Sequence, residues 1–296
     1  MYNTTLSIIQ TNQMNQTADA IYEKILSGDV IATELKCVTT ESLRKFHNWI
    51  KLQLILDAKK MTQGTKLLDV AVGRGGDIFK WAKGRFRYVT GFDCDSKSIY
   101  EKNDFDGAVK RYNSVKSDAN MPKCYFWNIS ATDPFVLNTL NGKDRECIYD
   151  VVSCQFSFHY FVKDIDIVLN LISKKLRTNG IFIGTAMDGD CIKNILKNGN
   201  IKNKAMCIEH VSEEMYSFTL NSEKTPRETY FEYRGASTEY FLFKQHLVEK
   251  CKTFNMIPLM TKSFHEWYNS YTSQHLLTQE DLYCSFLNFS FVFKKC

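Results

Sequence analysis

The segment Lys66-Leu67-Leu68-Asp69-Val70-Ala71-Val72-Gly73-Arg74-Gly75-Gly76-Asp77 constrains the fold more than any other part of the chain. An apolar, β-branched run passes directly into a glycine-rich turn, and Ile78-Phe79-Lys80-Trp81-Ala82 then takes up helical spacing. Glycines let the backbone approach a ligand without a Cβ clash, and free N–H groups at a helix start favour polar or anionic groups. Strand, turn and helix start together make a nucleotide pocket. The spacing Gly73-Arg74-Gly75-Gly76 fits neither G-x-G-x-x-G nor G-x-x-x-x-G-K-[ST], which weighs against a dinucleotide fingerprint and a P-loop.

A second apolar run, Tyr88-Val89-Thr90-Gly91-Phe92-Asp93, ends in an acid 20 residues after Gly73. An acid at the tip of the second strand is positioned to accept hydrogen bonds from ribose hydroxyls. Further strands are expected at 124–129, 149–156 and 180–187, beside those at 66–72 and 88–93. Their connections are long enough for the crossover helices that parallel strands require, which gives a Rossmann-like α/β fold. Asn179-Gly180 marks the turn into the fifth strand.

Residues 1–40 form a polar lead, an N-terminal extension or linker with one helix at Asp19–Leu26, and residues 41–296 form the main domain. The helix opening at Thr40-Glu41 repeats apolar residues at Leu43, Phe46, Ile50 and Leu54. Residues 188–235 are polar and less regular, an insertion on the sheet edge that helps to shape a substrate site. Residues 237–251 read as an amphipathic helix, and Phe286–Phe293 as a closing strand.

With 44% apolar residues the chain is globular, and 296 residues suffice for one large α/β domain. Basic residues are dense in 59–87 and again at Lys110, Arg111, Lys116 and Lys123. Both groups are expected to border the pocket, which suits a polyanionic partner. The ten cysteines include no C-x-x-C pair, and Cys124, Cys147 and Cys154 fall in apolar strands. Reduced thiols in a cytoplasmic setting follow, rather than zinc or a disulfide framework. No apolar run is long enough to span a bilayer.

The fourth strand runs out into Gln155-Phe156-Ser157-Phe158-His159-Tyr160. Ligands of open α/β sheets bind beyond the carboxyl ends of the strands. Aromatic faces and an imidazole at that end suit a purine, by stacking and by hydrogen bonds to the base edge. Phe158 reads as core, and His159 and Tyr160 as site.

On these residues the chain resembles the mRNA cap guanine-N7 methyltransferases. It resembles the version that forms the C-terminal domain of large DNA virus capping enzymes, of the African swine fever virus type. Asn48-Trp49-Ile50-Lys51, Asp69 through Asp77, Ser153-Cys154-Gln155-Phe156 with His159-Tyr160, and Gly180 through Thr185 follow in the family's order. Glu239-Tyr240-Phe241 and the aromatic C-terminal strand extend the match. The resemblance implies a class I S-adenosylmethionine-dependent methyltransferase with a mostly parallel seven-stranded sheet. It implies methyl transfer to N7 of the terminal guanosine of capped (GpppN) RNA. Lys51 would contact the methionine carboxylate of the cofactor, and Gly73 would pass close to its amino-acid part. Asp93 would hold the ribose, Ser130 would meet the adenine, and Asp69 and Gln155 would complete the cofactor set. Phe156, His159 and Tyr160 would line the guanine site, and Glu239 would accept from the guanine N1–H and exocyclic amine. Arg74 and Arg111 would face the triphosphate bridge. The implied polypeptide partners are triphosphatase and guanylyltransferase domains, whose own motifs this chain lacks. In a viral setting the implied location is a cytoplasmic factory or the virion.

The chain departs from the family in places. His47 stands in an Asn position, Asn128-Ile129-Ser130 replaces an acid, Asn288 and Phe289 stand where a tyrosine is usual, and Arg74 replaces lysine. A small-molecule methyltransferase and an inactive regulatory subunit are the rival readings. Marks of N6-adenine, cytosine C5, arginine and ribose 2′-O enzymes are missing at the strand ends.

Overall fold

In the computed structural model the residues described are 16–29, 36, 40–103, 106–144, 147–220 and 237–296. Strand β1 (Lys66–Val70) pairs in parallel with β2 (Tyr88–Asp93) on one side and with β4 (Tyr149–Gln155) on the other. Strand β3 (Lys123–Asn128) extends the sheet beyond β2, and β5 (Leu176–Met187) lies beyond β4, both in parallel. β10 (Met256–Ser263) and β11 (Asn288–Lys295) complete a seven-stranded sheet of order β10-β11-β5-β4-β1-β2-β3. The central strands are buried nearly end to end, as strands covered on both faces must be. Phe158, from the turn after β4, packs ring against ring with Phe182 of β5 and Phe291 of β11, and Phe182 with Phe293, so Phe158 is core.

Crossover helices follow the strands: α3 (Ile78–Lys83), α4 (Ser96–Tyr100), α5 (Ala108–Asn113), α6 (Val136–Asp144) and α7 (Ile165–Lys175), while the short α8 (Gly189–Ile195) follows β5 and α10 (Phe264–Tyr268) follows β10. The helix α2 (Thr40–Thr62) buries Leu43, Phe46, Ile50 and Leu54, the stripe its spacing predicts. A first helix, α1 (residues 16–27), spans the stretch read as Asp19–Leu26. No described helix is long and apolar enough to cross a membrane. All nine described cysteines are free; Cys124 and Cys154 are buried, whereas Cys147 precedes β4 and is half-buried.

Contacts divide the chain into two compact units. One takes Lys51–Ala186, Lys244–Thr261 and Ser290–Cys296 and carries most of the large sheet. The other takes Met1–Ile50, Met187–Phe243 and Lys262–Phe289.

Several elements differ from the sequence reading. β1 stops at Val70, because Ala71 adopts a positive φ of 58° and leaves the strand direction. β5 begins before Asn179-Gly180, and Asn179 (φ 60°) sits in a register irregularity inside the strand. The stretch read as irregular holds β6 (Ile201–Lys202), β7 (Met206–Ser212) and β8 (Met215–Leu220), which join β9 (Ser237–Tyr240) in an antiparallel sheet. Met206, Ile208, Tyr216 and Phe218 are its buried apolar members, a period-two pattern spread thinly through polar residues. Residues 221–235 of the expected insertion lie outside the described residues. The helix read over 237–251 is in fact β9 followed by α9 (Lys244–Thr253), since Ser237–Tyr240 pair with β8. The end of the chain is α11 (Gln279–Phe286) followed by β11, so the closing strand starts later than Phe286. β10 carries Pro258, which would interrupt an interior ladder; β10 ends the order of strands in the sheet, where proline is tolerated.

Candidate active site

The glycine turn is shaped by three residues in the left-handed region: Ala71 at φ 58°, Gly73 at φ 52° and Gly75 at φ 71°. The Val72 N–H still reaches the Phe92 carbonyl at 3.0 Å, which folds the turn down onto β2. Gly91 makes that contact possible, since a Cβ there would lie 2.8 Å from Val72 Cγ2. A Cβ at Gly73 would meet no protein atom within 4 Å, so the space beside this backbone is open. The Gly73 N–H donates to Asp93 Oδ2 at 2.9 Å, and the Asp95 N–H donates to Asp93 Oδ1 at 2.9 Å. Each carboxylate oxygen has a second lone pair, so Asp93 is held in place with acceptor capacity left for hydroxyl groups.

Charge concentrates at the foot of this turn. Lys51, on α2, lies 2.8 Å from the Asp77 carboxylate, and Lys80 approaches the same oxygen at 2.7 Å. Burial alone would raise the Asp77 carboxyl, but the two ammonium groups outweigh it and hold it well below the usual carboxylate range. Lys80 is pushed down, by burial first, with the like charge of Lys51 acting in the same sense. Asp69, one strand position from the turn, is buried and accepts from Ser153, while its Oδ1 has no hydrogen-bond partner. Burial pushes the Asp69 carboxyl well up, and the neighbouring charge of Asp77 adds to the effect. Lys51 is therefore already paired in this structure, by an acid to which the sequence reading gave no role.

At the end of β4 the Gln155 side chain is tied internally. Its amide donates to Ser153 Oγ at 3.1 Å and its carbonyl accepts from Thr185 Oγ1 at 3.1 Å. Phe156 then turns left-handed (φ 55°), with its N–H donating to the Thr185 carbonyl at 2.8 Å. A non-glycine residue in that region costs on the order of 1–3 kcal/mol and persists where its surroundings enforce it. The turn that follows, Phe158–Asp164, buries His159 and leaves Tyr160 exposed, with their rings 4.3 Å apart. Ser130 follows β3, and its hydroxyl lies 3.0 Å from that of Thr132. Arg111 donates to the Arg74 main-chain carbonyl at 3.1 Å, which places its guanidinium against the backbone of the turn. The basic stretches do not all border this end. Lys66, Arg87 and Lys123 stand at the opposite, N-terminal ends of β1–β3.

Glu239 belongs to the other unit. It is buried on β9, and its Oε2 accepts from the Tyr216 hydroxyl at 2.7 Å and its Oε1 from Ser237 Oγ at 2.6 Å. Tyr216 stands directly opposite Glu239 across the β8–β9 ladder, a partnership invisible until the strand register is known. Asn288 and Phe289 are both buried, and the Asn288 amide donates to the Cys284 and Ser285 carbonyls at the end of α11. That engagement gives Asn288 a capping task.

The model of the mRNA (guanine-N(7))-methyltransferase domain matches residues 15–282. The chain belongs to this family. Among its relatives is a protein of Acanthamoeba polyphaga mimivirus described as a "Probable mRNA-capping enzyme", 31% identical over 213 residues that make up 66% of this chain and 17% of that protein. Another is the mRNA cap guanine-N(7) methyltransferase of Caenorhabditis briggsae, 33% identical over 166 residues, 53% of this chain and 42% of that one. The chain thus spans less than half the length of either relative. A solved S-adenosylmethionine-dependent methyltransferase from Clostridium acetobutylicum aligns with 94% of this chain and 97% of its own at TM-score 0.54 and 12% identity. At that identity the likeness is one of fold: a class I S-adenosylmethionine-dependent methyltransferase with a Rossmann-like sheet.

For a member of this cap methyltransferase family, the residues at the β1 turn fit the cofactor. The open space beside Gly73 admits a ligand backbone, Asp93 offers fixed acceptors, and the orphaned Asp69 Oδ1 is a buried acceptor that lacks a donor.

Proposed function

We propose that this chain transfers the methyl group of S-adenosylmethionine to N7 of the terminal guanine of capped RNA. The observation that carries this reading is the family match over residues 15–282, on a chain whose β1 turn has the open glycine and orphaned acid described above. When bound, S-adenosylmethionine supplies an electrophilic methyl group on a sulfonium. Lys51 and Asp69 would meet the charged ends of its amino-acid part, Asp93 the ribose, and Ser130 the adenine. Gln155 would border the methyl group through its backbone, since its side-chain amide is occupied by Ser153 and Thr185.

Guanine N7 carries a lone pair and no proton, so no general base is needed. The task of the protein is to hold the acceptor in line and to keep the surroundings of the developing charge fixed. Phe156, His159 and Tyr160 would line the guanine, and Arg74 and Arg111 would take the triphosphate bridge. Glu239, with both oxygens already oriented by Tyr216 and Ser237, would accept from the guanine N1–H and exocyclic amine. Its hydrogen-bonded carboxylate supports that role, because an acceptor fixed beforehand loses little freedom on binding. The similarity to a mimivirus capping enzyme supports a further reading, that the chain works beside triphosphatase and guanylyltransferase domains of the large DNA virus kind. Free thiols throughout the described residues support a reducing, cytoplasmic setting.

The test is methyl transfer from labelled S-adenosylmethionine to short RNAs ending in GpppA or GpppG, followed by nuclease digestion. Label in N7-methylguanosine, and none on RNA already carrying it, is the expected result. Label on ribose or an internal base, or transfer only to a small molecule, would replace the substrate.

A further inference from the structure

One face of the sheet, starting from the ends of β1–β3 remote from the glycine turn, carries a surface that methyl transfer does not use. Lys66, Tyr88 and Lys123 stand in register at the starts of β1, β2 and β3. In-register residues of neighbouring strands point to one face, and every second residue along each strand joins them. Tyr125 and Trp127 therefore share the face of Lys66, Tyr88 and Lys123. Lys66 and Lys123 are exposed, and the three aromatic side chains are half-buried rather than core. The Tyr88 and Tyr125 rings lie 5.4 Å apart. The Lys123 ammonium is 5.3 Å from the Tyr125 ring centre, and that of Lys143, on α6, is 5.3 Å from the Trp127 ring. Two acids at this end are already neutralised: Asp150 by Arg177 at 2.6 Å, and Asp144 by Lys175 at 2.7 Å.

Ring faces bordered by lysines suit unpaired nucleotides, whose bases stack on aromatics while their phosphates meet cations. A protein partner would favour an interface whose centre is poor in charge, and here lysines stand among the rings. We propose that Tyr88, Tyr125 and Trp127, with Lys66, Lys123 and Lys143, form a docking surface for the single-stranded body of the RNA substrate downstream of its cap. The inference rests on the reading that the substrate is capped RNA. β2 carries Tyr88 at its start and Asp93 at its end, roughly 17 Å apart at about 3.3 Å per residue. A cap dinucleotide engaged at the Asp93 end does not reach Lys66, Tyr88 and Lys123 at the strand starts, whereas an RNA of many nucleotides, running from Trp127 past Tyr125, does.

The experiment compares the full chain with Lys66→Glu, Lys123→Glu, Lys143→Glu and the triple variant, using a 20-nucleotide capped RNA, the same RNA uncapped, and the cap dinucleotide GpppG. The triple variant is expected to bind both long RNAs tenfold or more weakly. The dependence of log affinity on log salt should flatten by about 0.7 for each phosphate that the variant no longer neutralises. Its methylation of GpppG should match that of the unmodified chain, which also shows that it is folded. Tyr125→Leu, which keeps apolar bulk, should weaken long-RNA binding several-fold without changing the salt slope. Long-RNA affinity and salt slope equal to those of the unmodified chain in the triple variant would overturn the proposal. Absence of N7 methylation on GpppG by the unmodified chain would overturn the functional reading instead, and binding of the uncapped RNA still decides the surface.

Discussion

The Lys51 ammonium and the Asp77 carboxylate lie 2.8 Å apart, joining α2 to the far end of the glycine turn. Both groups are largely buried, and Lys80 closes on the same oxygen from α3. A ligand carboxylate arriving at Lys51 would therefore share an ammonium that Asp77 already orients. Asp77→Asn leaves two neighbouring lysines without their counter-charge. Removing one partner of a buried pair typically costs about 3–5 kcal/mol. The variant should unfold at lower temperature and bind S-adenosylmethionine more weakly, as followed by thermal unfolding and calorimetry. An unchanged melting temperature together with unchanged affinity would sink this account of the turn.

Asp69 sets a pH dependence of the opposite sign to that of Asp77. Its folded carboxyl is raised, by burial and then by the charge of Asp77, so the unfolded chain loses this proton at lower pH than the folded one. Stability from this group is fully present below the unfolded carboxylate value and is lost as pH rises toward the folded value. Asp77, held low against its burial by Lys51 and Lys80, contributes stability above the unfolded value that is lost as pH falls toward the folded one. Asp69→Asn should therefore be more stable than the unmodified chain at neutral pH, with the difference vanishing near pH ~4, the unfolded aspartate value. The same variant should bind the cofactor more weakly, because Asp69 Oδ1 is the acceptor left without a donor. Denaturant titrations across that pH range decide it, and a stability difference that does not change with pH would refute the assignment.

His159 and Tyr216 separate positioning from folding. His159→Ala should lower kcat/KM for capped RNA by about 10²-fold, the size expected when a reactant is displaced by about an ångström. Cofactor affinity should persist, because His159 is assigned to the guanine and not to the cofactor. Tyr216→Phe removes the 2.7 Å hydrogen bond to Glu239 and leaves its ring in place. A raised KM for capped RNA with an unchanged KM for S-adenosylmethionine is expected. Equal changes in both would mean that Tyr216 acts through stability alone.

The parallel half of the fold was legible because its signals are local. Lys66 through Asp77 is a continuous run, and Asp93 ends the next one, so the five strands at the centre and edge of the sheet emerged with small errors at their ends. Those errors have backbone causes, such as the positive φ of Ala71 and Asn179. Strands β7 and β8 escaped notice because their few buried residues alternate with half-buried ones and the pairing is decided by neighbours along the sheet. β10 escaped because of Pro258, which only an edge position permits. In the site, the identities of Lys51, Asp69 and Asp93 could be read from the residues and the resemblance, but their partners could not. Lys51 with Asp77, and Glu239 with Tyr216, are contacts between residues 26 and 23 positions apart that depend on helix placement and strand register.

A last contact of that kind gives a prediction about stability alone. Lys175 is buried, with its ammonium 2.7 Å from Asp144 and 2.9 Å from Asn141 Oδ1, while the Tyr149 hydroxyl reaches Asp144 at 3.1 Å and Thr90 at 2.7 Å. No part of the proposed chemistry touches this cluster. Lys175→Met strands a buried carboxylate and should cost about 3–5 kcal/mol, whereas removing both charges together is often neutral or stabilising. Asp144→Asn combined with Lys175→Met should therefore recover most of what the single change loses, because the remaining Asn can still accept from Tyr149. Denaturant midpoints of the two single variants and the double variant close the cycle, and cofactor affinity measured on the folded double variant should match that of the unmodified chain. Losses that simply add would show that the two groups do not act as a pair.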